Sequence, residues 1–380
     1  MQRVVDTFEE AFGHRPDGVW SAPGRVNLIG EHTDYNDGLA LPFAIQLRTY
    51  AAIGLRPDTE ARAVSVQSPD TSVATDVTTI RPGTDLGWAG YALGMAWSLG
   101  VDHGFDVAVD GQVPVGAGLS SSSALECAVG LGLAALSGIE IDRMDLARAA
   151  QQTENRIVGA PTGMMDQVAS LEGRAGMGIL FDVAAGSIRR VPLDLDAAGL
   201  EIIVIDTRVS HAHAAGEYAT RRRECEEAAR RLGRASLRGI TVRELGAAGR
   251  RLADSTLVRR VRHVVTENDR VLRVSDALTH NDWPTVGTAL IESHHSLADD
   301  FEVSCPELDA AVETALDAGA IGARMVGGGF GGSAIALIPS SIRRHVTASV
   351  ASRFSREAWP IPRTFTARPS AGARLVRRFG

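Results

Sequence analysis

Two apolar runs, VWSAP at 19–23 and LALPFAI at 39–45, read as strands, and between them lies the polar stretch GRVNLIGEHTDYNDG. Arg25, Asn27, Glu31, His32, Asp34, Tyr35, Asn36 and Asp37 crowd onto it, framed by glycines at 24, 30 and 38. A solvated turn has the same composition, but here buried elements on both sides hold the polar groups close to a core. A buried polar group without a partner costs roughly 1–3 kcal/mol. The stretch therefore reads as a binding loop whose missing partner is a hydroxyl-rich ligand.

Further along, VDHGFDVAVDGQVP reads as strand, and GWAGYALGMAWSLG and SALECAVGLGLAALSG as helices whose small residues suit close packing. A third helix, DRMDLARAAQQTENRIVG, stops at a glycine, and PTG follows as a breaker. The texture changes at GMGILFDVAAGSIRRVPLDL (176–195), which reads as a hairpin opening a second domain. This divides the chain into 1–175 and 176–380. The second part holds an arginine-laden helix (YATRRRECEEAARRLG), more helices to about 318, then a glycine knot and strands. Strands and helices mix without a regular βαβ beat, so the fold class is α+β rather than doubly wound α/β.

Composition narrows the function more than the fold. The chain has 380 residues, 44% of them hydrophobic, enough for two domains sharing a cleft. A net charge of −7 argues against nucleic acid or an anionic membrane as the main partner. No apolar run reaches the roughly 18 residues of a membrane span. MQRVVDTFEEAFG has acids where a signal peptide has its apolar core, so the expected compartment is the cytoplasm. Cys127, Cys225 and Cys305 lie far apart and form no CxxC pair. All 39 Lys+Arg residues are arginine. That excludes a P-loop lysine, a protein-kinase strand lysine and a Schiff base. Any nucleotide phosphate must be met by backbone amides, magnesium and arginine.

VPVGAGLSSSSALE (113–126) is suited to that task. Gly116 and Gly118 let backbone approach a ligand, and the serines fall where a helix begins, so free amides and the positive end of the helix dipole face the loop. One serine suffices for an ordinary cap, and four exceed that need. MVGGGFGGSAIAL (325–337) imitates a dinucleotide fingerprint, but its glycines run into a strand ended by proline, not a helix. It reads as a loop able to lie against another backbone or a phosphate. In ENRIVGAPTGMMDQ (154–167), Glu154 closes one helix and Asp166 opens the next. Two acids about a glycine-proline turn, beside a phosphate loop, suit metal binding and general-base work.

These segments together resemble the GHMP kinases, and within them the galactokinases. GRVNLIGEHTDY is similar to that family's sugar signature, GLSSSSALE to its ATP-phosphate loop and MVGGGFGGSAIAL to its third motif. GEYATRRRECEE, ESHHSLADDFEVSCPELD and PSAGAR also match, so the likeness runs from about residue 20 to 374. It implies a two-domain fold with the site in the cleft, the last segment packing back on the first domain, and phosphorylation of a sugar at C1. Glu31, His32, Thr33, Asp34, Gly163 and Tyr218 would then bind the sugar. Asp166 would face the C1 hydroxyl, with Arg25 beside it. Gly116, Ala117, Gly118, Leu119, Ser120, Ser121 and Ser122 would wrap the ATP triphosphate, Trp88 would lie near the adenine, and Ser122 and Glu154 would hold Mg²⁺. A monomer with small-molecule partners only is implied. Asp37, Ser123 and Ser333 depart from the family pattern, which usually has glycine, alanine and cysteine there. None of the three is a group assigned to catalysis.

Overall fold

The computed structural model describes residues 1–210 and 214–379. A six-stranded sheet runs in the order Arg374–Arg378, Gly18–Asn27, Pro42–Leu55, Phe105–Gly111, Glu60–Ser65, Ser68–Asp76. Its pairs are antiparallel except Glu60–Ser65 with Phe105–Gly111. The helix Ser121–Leu136 crosses this sheet so closely that a Cβ on Gly132 would lie 2.4 Å from Ile53. That is the packing its run of small residues foretells.

A four-stranded antiparallel sheet orders Gly322–Val326, Gly331–Pro339, Leu200–Ser210 and Arg363–Ala367. The helices Pro306–Asp317 and Arg343–Arg356 contribute their apolar faces to the core on this side. The hairpin Met177–Asp182/Ser187–Pro192 forms, but it hydrogen-bonds to Leu39–Ala40 in a three-stranded sheet. One apolar cluster draws on both parts of the chain. It joins Val26, Leu28, Phe43 and Leu119 to Val271, Leu290, Val326 and Ile335. No helix among the described residues is long and apolar enough to cross a membrane.

Two elements differ from the sequence expectation. Strand geometry continues through Gly24 to Asn27, so Arg25 stands on a strand, not on a loop. The register shifts between Pro23 and Arg25, a bulge that turns the Arg25 amide onto the Leu119 carbonyl at 3.1 Å. A Cβ at Gly24 would sit 2.6 Å from that same oxygen. The third helix is α-helical only from Arg143 to Gln152 and then widens into a π turn, Thr153–Val158, before left-handed Gly159. Such turns occur mostly singly and often at functional sites; this one carries Glu154.

Candidate active site

A cavity of about 820 Å³ opens where the polar stretch, the serine loop and the glycine-rich turn meet. Arg25, Glu31, His32 and Asp34 line it from the first, and Gly116, Gly118, Leu119, Ser120, Ser121 and Ser122 from the second. Glu154, Gly163, Asp166 and Tyr218 complete the expected set. Three expected residues do not reach the wall. Thr33 is fully buried, its hydroxyl donating to the Gly30 and Leu39 carbonyls at 2.8 and 2.7 Å. Ala117 turns its methyl into the apolar cluster beneath. Trp88 packs on the core of the first sheet, its indole N–H buried without a partner among the described residues.

Asp166 stands in the first turn of the helix Met165–Glu172. Arg25 grips its carboxylate in two-pronged fashion, Nε to Oδ1 at 2.7 Å and Nη2 to Oδ2 at 2.8 Å. The third guanidinium nitrogen donates to the Gly118 carbonyl at 2.6 Å, tying the acid to the serine loop. The Ser120 hydroxyl donates to Asp166 Oδ2 as well.

On the other wall, Glu31 Oε1 accepts the Gly327 amide at 2.8 Å and lies 3.1 Å from buried Arg324. His32 sits in left-handed backbone (φ 61°) among Tyr35, Tyr218 and Phe301. Burial, then the nearby His263, pushes its pKa down to about 3, so the ring is neutral. Its Nδ1 lies 2.7 Å from the Tyr35 hydroxyl, and among the described residues Nε2 finds no full hydrogen bond. Burial, then Asp166 and Glu31, pushes Asp34 up to about 7. Gly163 faces it so closely that a Cβ would lie 1.8 Å from Asp34 Oδ2, which leaves glycine alone at that position. Burial and Asp34 raise the Tyr218 phenol, keeping it a neutral donor.

Glu154 Oε1 accepts the Ser122 hydroxyl at 3.0 Å, and Oε2 accepts Thr162 Oγ1 at 3.0 Å and Gln167 Nε2 at 2.8 Å. Burial, then Asp166, raises its pKa. Buried Glu126, reached through Gln167 at 3.2 Å, keeps one oxygen without a hydrogen bond among the described residues. A hydroxyl beside a buried carboxyl group, with a second buried acid close by, is an oxygen-only donor set. It fits a small hard cation that takes its other ligands from water and phosphate.

The serine loop and the glycine turn lie backbone to backbone. A Cβ on Gly118 would sit 3.0 Å from the Val326 carbonyl, and one on Gly327 would sit 3.0 Å from the Gly118 Cα. Ser333 then donates to the Ala117 carbonyl at 2.7 Å. Several supporting residues escape sequence reasoning. Glu267, on the long helix Ser255–Thr279, accepts the Gly30 and Glu31 amides at 2.9 and 3.3 Å. His263 reaches the Glu31 carbonyl at 3.0 Å, and Asn268 accepts the Leu39 amide at 2.7 Å. Their one signal is polar side chains recurring at i, i+4 and i+7 (His263, Glu267, Arg270) on a helix face that also carries valines.

Comparison with known proteins identifies the family. Residues 6–55 match the galactokinase galactose-binding signature, 90–174 the GHMP kinases N terminal domain and 274–356 the GHMP kinases C terminal domain. A galactokinase of Streptomyces coelicolor is 47% identical over 98% of both chains. One from Mycobacterium tuberculosis is 45% identical over 87% of this chain and 92% of its own. The crystal structure of Lactococcus lactis galactokinase complexed with galactose superposes with a TM-score of 0.94 at 32% identity, covering 99% of each chain. A mevalonate kinase, 16% identical with a TM-score of 0.64 over 92% of this chain and 98% of its own, shares the fold. The chain belongs to the galactokinase family of GHMP kinases.

Proposed function

We infer that the chain transfers the γ-phosphoryl group of ATP to the C1 hydroxyl of D-galactose, giving galactose 1-phosphate and ADP, the step that commits galactose to the Leloir pathway. One observation carries the reading. Asp166, clamped by Arg25 and Ser120, stands where the sugar-type wall meets the helix N-terminus of the serine loop. Phosphoryl transfer needs positioning and charge neutralisation above all. Glu31, His32, Asp34 and Tyr218 supply acceptors and donors for sugar hydroxyls. Free amides at the start of Ser121–Leu136 receive the phosphates.

The C1 hydroxyl oxygen bonds to the γ-phosphorus, the bond from that phosphorus to the bridging oxygen breaks, and ADP leaves. Asp166 takes the hydroxyl proton and releases it to solvent. Arg25 holds the acid in place and adds positive charge beside the transferred group. Ser122 and Glu154 are the residues that would hold Mg²⁺, which when bound draws charge from the phosphate oxygens.

An ADP-release assay across a panel of hexoses and pentoses tests the assignment, with galactose expected to give the highest kcat/KM. Asp166→Asn keeps the shape and loses the base, so kcat should fall by roughly 10²–10⁴-fold while calorimetry still detects galactose. Retention of more than about a tenth of kcat would reduce Asp166 from base to orienter.

A further inference from the structure

Ser120 is the cap residue of Ser121–Leu136, yet it makes no cap bond. Its backbone is left-handed, φ 59° and ψ 52°, a region a serine enters only under local constraint. The usual cap has extended backbone and a side-chain oxygen that accepts an amide of the first turn. Here the hydroxyl turns away from the helix and donates to Asp166 Oδ2. The residue is only 9% exposed, so its hydroxyl competes little with water.

Counting lone pairs gives this contact a consequence. Each carboxylate oxygen offers about two acceptor directions. Oδ2 receives both Arg25 Nη2 and Ser120, and is full. Among the described residues Oδ1 receives Arg25 Nε alone and keeps one direction open. The left-handed turn also leaves the first amides of the helix uncapped, free to meet phosphate. One backbone conformation thus serves both substrates.

We propose that Ser120 is a positioning residue for Asp166: its hydroxyl saturates Oδ2 and so makes Oδ1 the oxygen that takes the C1 proton. The inference rests on the phosphoryl-transfer reading above. As the C1 oxygen bonds to phosphorus and ADP departs, the proton passes to Oδ1, while Arg25 and Ser120 keep the carboxylate plane from turning.

Three substitutions separate this from a backbone role. Ser120→Gly removes the hydroxyl and suits the left-handed backbone, Ser120→Ala removes the hydroxyl and keeps the strain, and Ser120→Asn tolerates the backbone and restores a donor. Gly and Ala should both lose roughly 10–100-fold in kcat, the worth of one hydrogen bond to a charged group, with both KM values nearly unchanged. Asn should recover part of the loss. On an Asp166→Asn background, Ser120→Gly should cost nothing further, because the two act as a unit. If Ser120→Gly matches the wild type while Ser120→Ala does not, the residue matters only for the loop backbone. If the loss falls on the ATP KM instead, Ser120 is a phosphate contact and the proposal is overturned. An unaltered protein that fails to phosphorylate galactose would overturn the functional reading itself, an outcome distinct from either.

Discussion

At Asp34 burial raises the carboxyl pKa to about 7, and the like charges of Asp166 and Glu31 add to the shift. The group is therefore poised between acid and carboxylate near neutrality. A carboxylate accepts sugar hydroxyls as charge-assisted bonds, roughly twice as strong as neutral ones. With Asp34 facing the sugar as proposed, galactose should bind the ionised form better, and its Kd, measured by calorimetry without nucleotide, should fall as pH rises through about 7. Asp34→Asn should flatten that profile; a flat profile in the wild type would show the acid already ionised. The stability sign is opposite. The folded state holds a proton that the unfolded chain, at 3.8, has lost, so stability present below 3.8 declines as pH rises toward 7. His32 and His263 are lowered to about 3 and about 4, first by burial, and act the other way. They contribute above 6.5 and lose that contribution as pH falls. The gathering of Arg25, Glu31, His32 and Asp34 around one cavity was legible in the density of polar residues between two apolar runs. The turning away of Thr33 was not, because its hydroxyl answers to the carbonyls of Gly30 and Leu39, a matter of loop closure that spacing does not encode.

Among the elements, the helix Ser255–Thr279 does more for the sugar wall than its sequence advertises. Glu267 is fully buried, and Oε1 accepts the Gly30 amide and the Ser293 hydroxyl, with the Glu31 amide a longer third contact at 3.3 Å, while Oε2 accepts Arg270 at 2.8 Å. Burial alone would raise its pKa, but Arg270, then His263 and Arg324, outweigh it and bring the group down to about 2. Its stabilisation is present above 4.5 and lost as pH falls toward 2. Glu267→Gln presents one acceptor where two are used and leaves Arg270 without its countercharge. Galactose KM should rise about tenfold and ATP KM little, with stability lowered by roughly 1–3 kcal/mol, read by steady-state kinetics and urea unfolding. Equal shifts in both KM values would mean the helix supports the whole cleft and not the sugar loop in particular. The helices and hairpin were legible from period and breakers. The π turn at Glu154 and the strand through Arg25 were not, since both answer to contacts made by other parts of the chain.

Across the whole molecule, hydrogen bonds run between parts of the chain that the sequence reading assigns to different domains. The strand Arg374–Arg378 pairs with Gly18–Ser21, and the segment before it docks on the helix Met165–Glu172, where the Ala373 amide reaches the Ser170 carbonyl at 2.9 Å. Element prediction names such strands but not their partners, because partner choice depends on shape and on buried groups far away in sequence. Arg48 is one of these groups. It is 6% exposed, and burial, then Arg374, lowers its pKa to about 10. It donates to the Ala371 and Gly372 carbonyls at 2.7 Å each, and to Ser21. Ending the chain at Pro369 removes both carbonyls and leaves the Arg48 guanidinium with only its bonds to Ser21 among the described residues. Breaking the partners of a buried charge costs roughly 3–5 kcal/mol, so urea unfolding should show a loss of at least that order. The same reasoning gives Arg48→Met opposite signs in the two chains. In the full-length protein it leaves the C-terminal carbonyls without donors and destabilises. In the shortened chain it replaces a charge that has lost half of its hydrogen bonds with an apolar side chain and recovers part of the loss. Equal destabilisation of both chains by Arg48→Met would show that the C-terminal segment is held by its strand pairing alone.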